Sequence, residues 1–500
     1  MKNIILLLLF SINIVSCNSF LDINPKDQIV NEDMFSDNKN SEDAITGIYG
    51  TLKRRTVYGE MFNWGTFSLL SQDLGCSSQV TTNYPFTKYD YDNAYSTLKS
   101  IWGDMYEIIG YTNNAISELE KNKDFDLINI YKGELYALRA MMHFDLVKSF
   151  APHVEKEPNA QGIPYVTNYN FEHTPFSTVQ EVYKKVVEDL KTAQKLLEED
   201  KDNITYPRKN ISDIKEDFLK YRQLHLNYYA STALLARVLR MEGKYDEAKI
   251  EALKVIDSKK FPLATKDEVQ SLVAGVVNDK ENIFGLYSKD YFDVVKLRLY
   301  DGASWTSLSP YQEESGAHNL LKEWSDIYEK YLGENSGQDA RLTWFAYHGE
   351  ASGSSAMRYF MKFVDINRIE SDETASKRGL IEGISMIRIP EMYYIAAEAD
   401  LRNNDLIGAS LHINKVLTSR GLTALKDRQP VLTASLDLLY NERHKELVGE
   451  GQRWFDMKKL NMDIVCNETY KTYSASTEDM NKYYVFPIPN EEFDYRFEKK

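Results

Sequence analysis

The chain has 500 residues, of which 43% are hydrophobic and 27% are charged, which is typical of a globular protein that buries a large core. Its formal net charge of −15 makes nucleic acid a poor partner, because the phosphate backbone would repel it. The three cysteines, Cys17, Cys76 and Cys466, exclude a disulfide framework and a zinc motif. Two readings of Cys76 and Cys466 stay open: a bridge between them, or two buried free thiols.

The N-terminus predicts export and a lipid anchor. One positive charge, Lys2, precedes an apolar run over residues 4–14, which resembles a secretory signal. As a helix this run would rise about 16 Å, too little for a hydrocarbon core of about 30 Å. The order Ile-Val-Ser before Cys17 resembles a bacterial lipobox. We therefore predict a signal peptide over residues 1–16 and acylation of Cys17; the alternative is an ordinary signal peptide with an incidental cysteine.

Helical periodicity dominates the next part of the chain. Apolar residues at spacings of three and four predict amphipathic helices over residues 99–121 and 130–150. A third helix is predicted over residues 179–199, with Ser177 or Thr178 as its N-cap. These three segments predict that helix pairs form the scaffold.

Two segments share a 34-residue pattern, residues 229–262 and 390–423. Small residues recur at matching positions in both segments, and Gly243 and Asn404 each stand where a left-handed turn would join two helices. This spacing is typical of the tetratricopeptide helix pair. Generic helical hairpins are the alternative, because much of the tetratricopeptide consensus is missing.

The region between these two segments differs in character. Residues 283–287 and 359–363 read as short strands, separated by loops rich in Gly, Ser and aromatic residues. Such loops predict a binding surface.

Catalytic motifs are absent from the sequence. It contains no His-Glu-x-x-His, Cys-x-x-Cys, P-loop, dinucleotide fingerprint or Gly-x-Ser-x-Gly elbow. We interpret His143 and His225 as structural, and residues 449–451 as a turn between helices. A pair of carboxylates for glycoside hydrolysis stays open, because the sequence does not reveal their separation in space.

Several segments carry a resemblance to one family, and that resemblance spans nearly the whole chain after Cys17. The C-terminal combination is the most specific, with Arg453-Trp454-Phe455-Asp456 inside it. The matching segments are residues 20–22 with Pro25, 133–140, 388–399, 442–447, 449–459 and 484–489. In these features the chain resembles the SusD/RagB family of nutrient-binding outer-membrane lipoproteins.

The resemblance implies a mainly α fold, a tetratricopeptide-like helical-pair scaffold with a loop-rich, minor-β ligand-binding side. One SusD-like domain over residues 17–500 would hold helical pairs near 99–150, 177–257 and 388–460 and loop-rich insertions near 60–98 and 283–380. The implied partner is a SusC-like TonB-dependent β-barrel transporter, over which the lipoprotein acts as a hinged lid. The implied location is the outer membrane, through the lipid anchor and exposed at the cell surface. No cofactor, metal site or catalysis is implied.

The family motif residues also have a physical interpretation of their own. Arg453 and Asp456 stand three apart on a helix, close enough for a local ion pair, and Trp454 supplies a large face for burial. Pro487 and Pro489 hold an extended segment, which we expect to pack the C-terminus onto the helices. We interpret all five residues as structural.

Ligand contacts are predicted from chemistry alone, because the family's binding aromatics lie in variable loops. Sugar rings stack on aromatic planes, while amides and carboxylates bind their hydroxyl groups. Two stretches offer this mixture. The first contains Trp64, Asp73, Asn83, Tyr84, Tyr89, Tyr91 and Tyr95, and the second contains Tyr291, Tyr300, Asp301, Trp305 and Tyr311.

The sequence therefore predicts a surface lipoprotein that binds an oligosaccharide and delivers it to a transporter. A peptide ligand, as in a RagB-type importer, is the nearest alternative. A lipid-anchored glycosidase and a purely structural tetratricopeptide adaptor are the rival classes.

Overall fold

A computed structural model describes residues 34–75, 83–121, 125–271, 275–300, 327–348, 357–371, 374–466 and 468–494. Helices dominate this part of the chain, which confirms the predicted mainly α fold class. The α-helices are α1 Asn38–Leu52, α2 Thr66–Leu70, α3 Tyr95–Glu120, α4 Ile128–Phe150, α5 Val179–Leu196, α6 Tyr228–Met241, α7 Tyr245–Asp257, α8 Lys266–Ser271, α9 Tyr291–Val295, α10 Ile366–Ser371, α11 Ile389–Arg402, α12 Leu406–Ser419, α13 Leu436–Leu447, α14 Arg453–Leu460, α15 Asn481–Tyr484 and α16 Glu491–Asp494.

Shorter helical turns connect these elements. Those in 3-10 conformation are Tyr84–Lys88, Glu198–Asn203, Ile211–Asp213, Asp217–Leu219, Arg222–Leu224, Ala340–Trp344, Ala375–Arg378 and Leu425–Asp427, and Arg55–Gly59 and Lys296–Tyr300 are π turns. The predicted loop-rich insertion near 60–98 is therefore partly helical.

The predicted helices form where the periodicity indicates, with small changes at their ends. α3 begins four residues before the predicted start and buries its apolar stripe, including Ile101, Met105 and Ile108. α5 begins after Thr178, whose hydroxyl accepts the N–H of Glu181 while the Glu181 carboxylate accepts the N–H of Thr178. This capping box satisfies two N–H groups that the first helical turn leaves without partners.

Consecutive helices pack side by side into one array. α4 lies between α3 and α5, α6 follows α5, and α7 follows α6. α11 then packs against α7, and α12 against α11. The two helix pairs that share the 34-residue pattern are therefore neighbours in space, although more than a hundred residues separate them in sequence.

The turns inside these two pairs have the predicted conformation. Gly243, between α6 and α7, has a φ of 79°, and Asn404, between α11 and α12, has a φ of 60°. Gly and Asn adopt this left-handed conformation at low cost, which allows a three-residue reversal of the chain. α6 with α7 and α11 with α12 thus form the two helix pairs that share the 34-residue pattern.

The strands form small antiparallel sheets. They are β1 Gln161–Pro164, β2 Phe176–Thr178, β3 Val276–Val277, β4 Asn282–Tyr287, β5 Phe345–His348, β6 Met357–Phe360, β7 Ile381–Arg388, β8 Ile464–Cys466 and β9 Lys471–Tyr473. Strand order is β3-β7-β4 in the three-stranded sheet, while β1 pairs with β2, β5 with β6 and β8 with β9. β4 matches the strand predicted over residues 283–287, and β6 ends at Phe360, three residues before the predicted end.

The three-stranded sheet joins the helical array to the loop-rich part. Phe284 of β4 pairs with Ile387 of β7, and Leu286 pairs with Ile384. All four side chains are at most 1% exposed. Since β7 runs directly into α11, the sheet fixes where the second helix pair begins.

Candidate functional site

The aromatic residues of the first predicted stretch lie mostly in the core. Trp64 is 0% exposed, Tyr89 7% and Tyr91 8%. Tyr89 stacks on Trp454 with ring centroids 5.9 Å apart and donates its hydroxyl to the carbonyl of Leu70. A ring face that is already covered offers no surface to a sugar, which argues against the predicted ligand contacts of these three residues.

The two polar residues of that stretch are buried as well. The Asp73 carboxylate lies 2.7 Å from Nε2 of His444, and the Asn83 amide donates to Oε1 of Glu60 at 2.9 Å. The first contact ties the 60–98 segment to α13, whereas the second lies within that segment. Burial of both side chains argues against the predicted ligand contacts of Asp73 and Asn83.

Tyr84 and Tyr95 remain at the surface. The Tyr84 hydroxyl donates to Glu468, and the Lys88 ammonium lies 4.3 Å from the Tyr84 ring centroid. The Tyr95 hydroxyl donates to Glu491 at 2.6 Å. Both rings are half-buried, so their role in binding stays a prediction.

The second predicted stretch meets the first in space. Tyr291 is 3% exposed and accepts a hydrogen bond from the amide of Asn63, next to Trp64, at 3.1 Å. Burial argues against the predicted ligand contact of Tyr291, whereas the half-buried Tyr300 keeps part of its ring at the surface. The remaining residues of this stretch lie outside the described residues: Asp301, Trp305 and Tyr311.

The C-terminal motif is structural, although one predicted pair is wrong. Asp456 binds Nη2 of Arg240 at 2.8 Å and Nε of Arg443 at 3.0 Å, rather than Arg453. Burial alone would raise the pKa of Asp456, but these two guanidinium groups hold it well below its usual range. Trp454 is 1% exposed, as predicted.

Glu446, in the same motif, is the centre of a buried ion cluster. One oxygen lies 2.7 Å from Arg388 and 2.8 Å from Arg420, and the other lies 3.0 Å from Arg420 and 3.4 Å from Arg341. These arginines come from the end of β7, the end of α12 and the turn before β5. The cluster therefore ties α13 to the sheet and to the helical array.

The C-terminal proline segment packs as predicted. The backbone N–H of Phe486 donates to the carbonyl of Ser149 at 2.9 Å, and the Phe486 ring lies 5.5 Å from that of Phe150. Pro489 is buried and Pro487 is exposed. Neither proline could donate a backbone hydrogen bond, so the segment stays extended beside α4.

His143 and His225 are structural. Nδ1 of His143 lies 2.9 Å from the carbonyl of Arg139, and Nε2 accepts the N–H of Val166. Burial lowers the pKa of His143 to about 3, so the ring is neutral. His225 lies just before α6, and its Nδ1 contacts the Glu134 carboxylate at 3.0 Å.

A cavity of about 470 Å³ opens between α13, α14 and the segment that begins at Ile327. It combines apolar walls with a few polar groups. Its lining residues are Ile327, Lys330, Leu436, Asp437, Tyr440, Asn441, His444, Arg453, Leu460 and Met462. This volume falls within the range of about 300–1,000 Å³ that is typical of small-molecule sites.

The cavity lies beside the first predicted stretch, because His444 in its lining contacts Asp73 of that stretch. Two buried atoms that belong to the lining residues, Oδ1 of Asn441 and Nε of Arg453, have no hydrogen-bond partner among the described residues. An acceptor and a donor beside the Tyr440 ring suit a hydroxylated ligand. We take this cavity as the candidate functional site.

Sequence reasoning missed most of this site. Asp437, Tyr440, Asn441 and His444 are spaced three, one and three apart, so they share one face of α13. That spacing, which extends into the family segment at residues 442–447, was the available signal.

The described residues give no sign of a metal centre. In these ranges no group of three or more His, Cys, Asp or Glu side chains is arranged to hold a metal ion. Cys466 is a buried free thiol that donates to the carbonyl of Thr87 at 3.3 Å. Cys17 and Cys76 lie outside the described residues. No described helix has both the length and the apolar character that a membrane span requires.

Two family models match the chain. Residues 19–212 match a SusD-like model described as "Starch-binding associating with outer membrane", and residues 299–500 match the SusD family model. Among curated proteins, SusD-like protein P38 of Formosa agariphila is 21% identical over 489 residues, covering 92% of each chain. SusD-like protein P2 of the same organism is 23% identical over 531 residues and covers 96% of this chain.

Solved structures share the fold. A SusD superfamily protein from Bacteroides thetaiotaomicron has a TM-score of 0.69 at 21% identity, covering 91% of this chain and 97% of its own. A SusD-like carbohydrate binding protein from Bacteroides vulgatus has a TM-score of 0.67 at 18% identity, covering 92% and 96%. The helical array, the buried C-terminal motif and the two model matches lead to one conclusion: the chain belongs to the SusD/RagB family.

Proposed function

We propose that this protein is a lipid-anchored nutrient-binding protein of the outer membrane, which captures an oligosaccharide at the cell surface and delivers it to a partner TonB-dependent β-barrel transporter. The description of the model that matches residues 19–212 supports both the carbohydrate and the outer-membrane part. The Bacteroides vulgatus structure described as carbohydrate binding supports the ligand class.

The observation that carries the binding proposal is the cavity of about 470 Å³ beside the first predicted stretch. Its apolar walls suit the C–H faces of a sugar ring, while Asn441 and Arg453 offer an acceptor and a donor without internal partners. A ligand hydroxyl group that bonded to both atoms would remove the cost of leaving them unpaired.

The lipid anchor carries the proposal for the location. Each buried CH₂ of an acyl chain contributes about 0.8 kcal/mol, so two or three chains on Cys17 would hold the protein firmly. A tether also keeps the binding body beside its transporter at a high effective concentration while it swings.

Calorimetry with the secreted body, residues 18–500, against a panel of oligosaccharides and peptides tests the binding proposal. We expect micromolar binding to at least one glycan and at least a fivefold weaker Kd for Asn441→Ala, because the variant removes a cavity acceptor. The control is Asn403→Ala, an exposed amide in the turn between α11 and α12, which should leave the Kd unchanged. Binding to peptides but to no glycan would overturn the carbohydrate assignment.

The same samples test the absence of catalysis. After prolonged incubation, a bound glycan should yield no new reducing ends. Release of reducing ends would support the glycosidase rival instead, and a pair of carboxylates would then have to be sought around the site.

A further inference from the structure

A second cavity, of about 270 Å³, lies apart from the candidate site. The chain between α5 and α6 forms one wall with residues that include Asn203, Arg208 and Tyr221. Asp279, in the turn between β3 and β4, and Ile381, at the start of β7, contribute to the opposite wall. This volume lies just under the range typical of drug-sized ligands, about 300–1,000 Å³, and therefore suits a small unit.

The Arg208 guanidinium is held in one orientation. Its Nη1 donates to the backbone carbonyl of Thr205 and, at 3.2 Å, to that of Lys260. The guanidinium carbon also lies 5.1 Å from the centroid of the Phe261 ring, which covers one side of the group. These contacts fix the group without using its other nitrogens.

The opposite edge of the same guanidinium has no partner. Nε and Nη2 of Arg208 are both buried and make no hydrogen bond within the described ranges. Asp279 lines the same cavity, but it accepts from the Gln223 amide at 3.2 Å and forms no ion pair with Arg208. Arg222, also in the lining, is already paired with Glu134 and Asp200. Arg208 is thus a fixed cation whose two neighbouring donors are unused.

This edge selects for a particular chemistry. The Nε–H and Nη2–H donors are parallel, and a carboxylate presents two oxygens at the matching spacing. Asp279 interacts electrostatically with the Arg208 charge but accepts no hydrogen bond from Nε or Nη2, so a ligand that supplied acceptors to these two donors would gain affinity. The Tyr221 ring at the rim and the amides of Asn203 and Gln223 add a stacking surface and groups that bind hydroxyls.

We propose that this cavity binds a uronic acid unit, whose carboxylate accepts both hydrogen bonds from the Nε and Nη2 edge of Arg208. The choice of a sugar acid over another carboxylate rests on the proposed function. The protein would then bind acidic glycans at two sites, and this second site would recognise the carboxylate group.

Calorimetry of the secreted body, residues 18–500, with glucuronate, galacturonate, glucose and an N-acetylated dipeptide tests the proposal. We expect the two uronates to bind and glucose to bind much more weakly. Arg208→Lys keeps the positive charge but loses the parallel donors, so we expect it to weaken uronate binding about 10- to 100-fold. Arg208→Gln, which removes the charge as well, should weaken binding at least as much.

Lys209→Gln is the matched control, because it removes an equal charge from the rim of the same cavity without changing the Arg208 edge. We expect less than a threefold change in the Kd for uronate. Equal losses in Lys209→Gln and Arg208→Lys would indicate general electrostatic attraction and overturn the bidentate site. Circular dichroism and the melting temperature of each variant establish that the fold is intact.

Three other outcomes would overturn the proposal. The dipeptide could bind in place of the uronates, glucose could bind as well as they do, or no small carboxylate could bind, in which case water fills the cavity. None of these outcomes bears on glycan binding at the α13–α14 cavity, which is tested by the Kd of Asn441→Ala. Conversely, an unchanged glycan Kd in Asn441→Ala would count against the proposed function but would not affect the uronate binding measured for the Arg208 variants.

Discussion

Replacing Glu446 with Gln should destabilise the protein severely, although the two side chains have nearly the same shape. Glu446 is 0% exposed, and its two oxygens contact Arg388, Arg420 and Arg341. Burial alone would raise the pKa of Glu446, but Arg420 and Arg388 lower it far below its usual range. The carboxylate is therefore charged at neutral pH, and Gln removes the charge that three buried cations share.

The magnitude follows from the contacts that the amide cannot make. Gln keeps one acceptor oxygen, but its NH₂ group would point at guanidinium donors that offer no acceptor. Removing one partner from a buried ion pair costs about 3–5 kcal/mol when the remaining charge is left uncompensated. Arg388 and Arg420 keep Glu281 as a partner and Arg341 keeps Asp339, so the loss should fall at the lower end of this range. We expect a loss of this size in the free energy of unfolding at pH 7.

The control is Asp437→Asn on the same helix, α13. Asp437 pairs with Lys330 at 3.0 Å, but the two side chains are 69% and 48% exposed. A surface pair contributes about 0–1 kcal/mol, so this change of the same charge should be nearly neutral. Urea denaturation followed by circular dichroism measures both variants.

The pH dependence of the unfolding free energy tests whether the Glu446 charge causes the loss of stability. Because the folded pKa of Glu446 is depressed, its stabilising contribution is present above the ordinary value of 4.5 and is lost as the pH falls toward the folded pKa. The difference in unfolding free energy between wild type and Glu446→Gln should therefore become smaller below about pH 4.5. If Glu446→Gln lost less than about 1 kcal/mol of unfolding free energy at pH 7, as Asp437→Asn should, the reasoning would be refuted.

Three further predictions concern other parts of the chain. Gly449→Ala should lower the free energy of unfolding by at least about 1–3 kcal/mol. The reason is that Gly449 has a φ of 74° and that a new Cβ would lie 2.5 Å from the Phe363 ring. Urea denaturation measures this loss, and an unchanged denaturation midpoint would contradict it. Burial lowers the pKa of Lys458 to about 7, so between pH 7 and about 10.5 the unfolded chain binds more protons than the folded chain. The free energy of unfolding of wild type, relative to that of Lys458→Met, should therefore rise with pH in this range. A difference in unfolding free energy that stays flat or falls with pH would contradict this expectation. Cys17→Ala in the full-length chain should leave glycan binding by the purified variant intact, while abolishing its retention in the outer-membrane fraction and weakening uptake of a labelled glycan by the cells. Full retention of the variant would dismiss the lipid anchor.

The helical scaffold could be predicted because its signals are local. The apolar spacing in α3 and the cap at Thr178 depend on residues within one or two turns. The turns at Gly243 and Asn404 require a left-handed backbone that few residues adopt at low cost. Such features act within a short segment, so neighbouring residues suffice to predict them.

The candidate site could not be predicted in the same way. A tyrosine suits both a buried edge and a sugar-binding surface, and only packing decides between the two. Tyr89 is covered by Trp454, which lies 365 positions later in the sequence, whereas Tyr84 stays half-buried at the surface. The ion partners of Asp456 were mispredicted for a related reason: local spacing suggested Arg453, but the fold brings Arg240 closer.

The sequence by itself determined the helix pairs and the family, and it predicts the signal peptide and the lipid anchor, since each depends on short segments of specific composition. Only the tertiary structure decided which aromatic residues are core, which arginines surround Glu446 and which cavities are lined by donors that have no partner among the described residues. These properties arise where distant segments exclude water from one another, and burial then sets the cost of every charge and every missing hydrogen bond.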